Sequence, residues 1–125
     1  MVRIWWQSFV DTEVSSGYLT RLSEYLNSQC AVDVEVDIKG LSPPSRGWSR
    51  LSEMRGAVCA VRAAMEAEES EYDAFVIGHF QEPGLFEARS SVRIPVIGLG
   101  EATLLWSSHL GRRFGLVSID RKSTR

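Results

Sequence analysis

Ala74-Phe75-Val76-Ile77-Gly78-His79-Phe80-Gln81-Glu82-Pro83-Gly84-Leu85 sets a short apolar run against a polar turn rich in strand breakers. A second apolar run, Ile94-Pro95-Val96-Ile97-Gly98, follows closely. Short apolar runs bounded by Gly and Pro read as buried strands. Open α/β folds bind ligands just outside the carboxyl ends of such strands. His79 is therefore presented at the mouth of a site.

Working outward, Val2 to Trp6 reads as a buried strand that ends at Gln7-Ser8. Ser15 and Ser16 are placed to cap a helix carrying Tyr18, Leu22, Tyr25 and Leu26 at helical spacing. Val32, Val34, Val36 and Ile38 alternate with Asp33, Glu35 and Asp37, which predicts a strand at or near a sheet edge. Lys39 to Arg50 holds Gly40, Pro43-Pro44, Gly47 and Trp48, and reads as a loop. Trp48 there is either a packing anchor or a lid over a ligand. Leu51, Met54, Val58, Val61 and Met65 recur at spacings of three and four, so a long helix is expected to turn this stripe to the core.

Tyr72 to Gly78 and Ile94 to Gly98 are the third and fourth strands, with a short helix over Pro83 to Arg89 between them. A helix from Glu101 to Leu110 stops at Gly111, and Phe114 to Ile119 reads as a fifth strand. Strands alternating with helices imply α/β architecture: a parallel sheet with flanking helices. A strand ending at residue 119 would normally feed a further helix, which suggests that the fold continues beyond this sequence.

The 125 residues suit a single domain with a core of its own. Net charge is -2, with both signs interspersed, so no electrostatic footprint for nucleic acid or an anionic membrane surface is present. No apolar run approaches the roughly 20 residues of a membrane-spanning helix, and no signal peptide is apparent. Cys30 and Cys59 are isolated, without metal-ligand spacing, and read as core residues of a cytoplasmic protein. No metal or cofactor is expected.

The strand ends supply a polar cluster: Gln7 and Ser8, His79 and Gln81, and Glu101 after Gly100. The backbone N–H groups of Phe80 and Gln81, at a helix start, would bind a carboxylate or phosphate. His79 would serve as general acid or base near neutral pH, with Glu101 orienting it or carrying a second proton. The alternative is that His79 only seals the sheet end and Glu101 only complements a helix dipole. Ser8 lacks a nucleophile elbow, Gly98-Leu99-Gly100-Glu101 is not a dinucleotide fingerprint, and His109 sits where a helix dipole favours a cation.

Tyr72 to Leu85 resembles the catalytic segment of the aspartate/glutamate/hydantoin racemase family. Pro95 to Ala102 followed by Leu110 to Ser118 resembles the family's next segment, with greatest similarity to the hydantoin racemase branch. Gln7-Ser8 falls where members carry a polar substrate-binding residue. The resemblance implies a flavodoxin-like lobe over residues 1–111 and the first strand of a truncated second lobe over 112–125. It implies cofactor-independent isomerisation of an amino acid or hydantoin-like derivative by α-proton abstraction. His79 would be catalytic, and Gln7, Ser8, Phe80, Gln81 and Glu101 would contact the small-molecule substrate.

Members use two cysteines, one from each lobe, on opposite faces of the substrate. The first would stand at position 79, where this chain has His79. The second would lie beyond residue 125. Self-association to complete the cleft, or a non-catalytic module binding a carboxylate or other small molecule, are the alternatives this implies.

Overall fold

The computed structural model describes residues 1–43, 47 and 49–117. Along them run β1 (Val2–Asp11), α1 (Ser16–Gln29), β2 (Val34–Leu41) and α2 (Arg50–Glu69). Then follow β3 (Ala74–Ile77), α3 (Leu85–Ser91), β4 (Val96–Gly98) and α4 (Leu99–Leu110). The strands form one parallel sheet in the order β2-β1-β3-β4. Gln7 pairs with both Lys39 and Ile77, and Ile77 pairs with Gly98, so the strand ends share one edge.

β2 is an edge strand, as its alternating pattern predicts. Its outward backbone is covered by Asn27 of α1, which accepts from the Val36 N–H at 2.8 Å and donates to the Val36 carbonyl at 2.9 Å. That satisfies groups which would otherwise template another strand. β1 runs past the expected Trp6 to Asp11, because Asp11 still pairs with Leu41 after a register shift.

Trp5, Phe75, Ile77 and Val96 on one sheet face pack against Ala60, Ala64 and Ala67 of α2 and Leu85 and Ala88 of α3. Here the structure corrects the sequence reading of α2. Most of the large apolar stripe faces out: Leu51 is 76% exposed and Met54 is 68% exposed, with Val58 and Met65 also exposed, while Val61 packs against the core as expected. Gly56, Ala60, Ala64 and Ala67 are the residues turned inward. Periodicity says which residues share a face; the small residues go inside because they let the helix pack closely on the sheet.

The predicted fifth strand is also revised. Residues 114–117 pair with no strand, and Phe114, Leu116 and Val117 are exposed. Without a neighbouring strand, extended backbone has no ladder to join. Ser118, Ile119 and Trp48 lie outside the described residues. Cys30 and Cys59 are half-buried rather than core residues, and neither is in a disulfide.

Candidate active site at the carboxyl edge of the sheet

β3 ends at Ile77, and Gly78 is held to β1 by its N–H donating to the Gln7 carbonyl at 2.8 Å. A Cβ on Gly78 would lie 2.1 Å from Nε1 of Trp6, so the indole occupies the space a side chain would need. His79 follows, half-buried, with Phe9 of β1 edge-on to its ring at 5.8 Å. The chain then closes a turn in which the Glu82 N–H donates to the His79 carbonyl at 3.0 Å.

The His79 ring has a defined partner. The Gln81 N–H donates to Nδ1 at 3.1 Å, so Nδ1 accepts and a neutral ring carries its hydrogen on Nε2. Burial holds the His79 pKa below the ordinary imidazole value, opposed by the nearby Glu53 carboxylate. Burial favours the neutral ring, and the Gln81 hydrogen bond selects its Nε2–H form.

The remaining expected residues are placed differently. Gln7 is only 3% exposed, and its amide is engaged within the protein. Its Oε1 accepts from Trp5 Nε1–H at 3.0 Å, and its Nε2 donates to the carbonyls of Ser8 at 2.9 Å and Gly40 at 3.1 Å. The side chain ties β1 to the end of β2. Ser8 is buried in β1 and supplies one of those carbonyls. The Gln81 N–H is spent on His79, and α3 starts only at Leu85, so Phe80 and Gln81 do not sit at a helix start.

Glu101 points elsewhere too. Arg89 of α3 grips it with two hydrogen bonds, 2.7 and 3.2 Å, and holds its carboxyl below the usual range. Arg89 also donates to the Val96 carbonyl. The structure gives Glu101 to an α3–α4 ion pair rather than to His79. His109, in the last turn of α4, has Nδ1 2.8 Å from the Leu105 carbonyl, in keeping with a structural role.

Two acids that the sequence reading passed over enter here. Glu53, in the first turn of α2, lines a cavity of about 170 Å³ with Phe9, Val10, Leu41, Ser52 and Pro83. It is the charged residue among the described lining, and Phe9 joins this cavity to the His79 ring. Glu82 is the other, and its carboxylate accepts from the Glu101 N–H at 3.1 Å. A helix start after Pro43 and Gly47 was legible; that its acid reaches a loop 26 positions on was not. Among the described residues no group of three metal-ligating side chains gathers, and no helix is long and apolar enough to cross a membrane.

Residues 16–125 match the family model for Asp/Glu/Hydantoin racemase. A 54-residue segment, 43% of this chain and 22% of the relative, is 39% identical to a hydantoin racemase of Pseudomonas sp. (strain NS671). The fold is similar to allantoin racemase from Klebsiella pneumoniae, with a TM-score of 0.71 and 24% identity. That likeness covers 87% of this chain and 44% of the other, so the matched part of this chain spans less than half the length of either relative.

Proposed function

We propose, on the premise that this chain belongs to the Asp/Glu/hydantoin racemase family, that it forms one wall of a cofactor-independent isomerase site. The reaction exchanges the proton on a carbon beside a carbonyl in an amino-acid derivative. What carries the reading is His79, set at the carboxyl end of β3 with Nδ1 satisfied by the Gln81 N–H.

That hydrogen bond selects among the roles open to an imidazole. A base needs a bare nitrogen facing the substrate, and Nε2 carries the hydrogen instead. His79 therefore acts as a neutral hydrogen-bond donor to the substrate carbonyl. When the proton leaves carbon, its electron pair moves onto that oxygen, and Nε2–H stabilises the charge that collects there. The proton acceptor belongs to the opposite wall, contributed by a second lobe that begins near residue 112 or by another chain.

The cavity favours a cyclic, hydantoin-like substrate over a free amino acid. Glu53 is the charged group among its described lining, and a carboxylate repels an α-carboxylate while accepting from ring N–H groups. The test is deuterium entry at C5 of a single-enantiomer 5-substituted hydantoin in D2O, followed by proton NMR against buffer and against the His79→Ala variant. Exchange above buffer that vanishes in the variant supports the proposal. Exchange undiminished in the variant removes His79 from the reaction. Binding without exchange by either protein would mean that no opposite wall supplies the proton acceptor, and a binding module would be the better reading of this chain by itself.

A further inference from the structure

We infer that Glu82 is a positioning residue for His79, fixing the loop that aims the imidazole by anchoring it to the start of α4. The inference rests on the reading of His79 as the reactive side chain.

Three observations converge on Glu82. Its carboxylate fills the place of two missing side chains: a Cβ on Gly98 would lie 1.6 Å from Oε2, and one on Gly100 would lie 3.0 Å from Oε1. The same Gly100 Cβ would lie 2.4 Å from the Phe80 carbonyl oxygen, so the His79 loop presses on α4 at two points. The paired glycines of Gly98-Leu99-Gly100 are thus a seat for this loop. Second, the α4 N-cap is Gly98, which offers no side-chain cap, and Glu82 supplies one by accepting from the Glu101 N–H. A carboxylate there also complements the helix dipole.

Third, Glu82 has φ of 54°, a left-handed conformation that strains a non-glycine residue. The conformation is what lets one residue do two things. Its N–H closes the turn onto the His79 carbonyl, while its side chain runs the other way into the glycine seat. The far end of the loop is fixed independently: Gly84, at φ 77°, leaves no room for a Cβ, which would lie 2.7 Å from the Ala57 carbonyl oxygen. His79 and its Gln81 hydrogen bond lie inside a loop clamped between α4 and α2.

The test reads His79 directly, by nitrogen-15 NMR of its ring across a pH titration, in wild type, Glu82→Gly, Glu82→Asp and Glu82→Gln. Glycine removes both the backbone strain and the carboxylate; aspartate keeps the charge but is too short to reach the seat; glutamine keeps an acceptor of full length. Glu82→Gly and Glu82→Asp are expected to lose the single Nε2–H signature and to titrate nearer the ordinary imidazole value, with Glu82→Gln restoring wild-type behaviour. If the glycine variant does not fold, the aspartate and glutamine pair decides. Ring signals and titration unchanged in every folded variant would overturn the inference. The readout needs no turnover, so absence of isotope exchange in the wild type would count against the proposed function alone.

Discussion

The Gln81 main-chain N–H donates to Nδ1 of His79 across two residues at 3.1 Å, and this one bond sets which ring nitrogen carries the hydrogen of the neutral imidazole. The neutral ring is expected to show one tautomer, with hydrogen on Nε2. The pH dependence of stability follows in sign. Above about pH 6.5 the imidazole is neutral folded or unfolded, and pH acts through it on neither state. Below that, the unfolded chain binds a proton while the folded site, with its lowered pKa, resists. Stability is then lost as pH falls, until the folded pKa is also passed. Urea denaturation at about pH 7.5 and about pH 5.5, one on each side of the ordinary imidazole value, should show wild type losing more than His79→Gln. Equal losses would mean that the fold does not depress this pKa.

Trp6 and Gly78 make a steric prediction. Gly78→Ala puts a methyl where the Trp6 ring stands, 2.1 Å from Nε1, and the ring must move. Overpacking of this kind costs about 1–3 kcal/mol. Trp6→Leu should recover part of that loss in the double variant, since the colliding ring is gone. Additive losses in a denaturation double-mutant cycle would show that the two positions do not collide.

The two faces of α2 should respond in opposite ways to substitution. Met54→Gln with Val58→Gln alters exposed positions and should change stability by less than about 0.5 kcal/mol each. Ala64→Leu adds volume at a position with 0% exposure, against Phe75 and its neighbours, and should cost about 1–3 kcal/mol or more. Thermal melts of the two proteins decide it. A large loss in the glutamine pair with a tolerated leucine would restore the orientation that the spacing of Leu51, Met54 and Val58 suggests.

That reversal marks where sequence reading stops. The alternation of Val34 and Val36 with charged neighbours does locate β2 at the sheet edge, and the break after Ile77 does locate His79 at the carboxyl edge. Both are local signals, carried by residues adjacent in the chain. The orientation of α2, the diversion of Glu101 to Arg89 and the closure of the Gln7 amide on Gly40 are set by residues far apart in sequence. Gln7 illustrates the limit: a polar residue at a strand end is equally suited to a ligand or to a neighbouring carbonyl. Only the approach of β2 shows that the carbonyl takes it.

Restoring the thiol expected from the family resemblance should change the chemistry rather than simply improve it. In wild type Nε2–H is present in both the neutral and the protonated ring, so position 79 is expected to put no step at alkaline pH into the exchange rate. In His79→Cys the thiolate is the working form. Burial disfavours that charge, and the Glu53 carboxylate, which favours an imidazolium at this position, disfavours an anion. Exchange in the cysteine variant should therefore rise only at alkaline pH, in a step that wild type lacks. The measurement is the C5 isotope-exchange rate of a 5-substituted hydantoin against pH for both proteins. Superimposable profiles would show that position 79 does not set the rate, and the site would have to be sought around Glu53 instead.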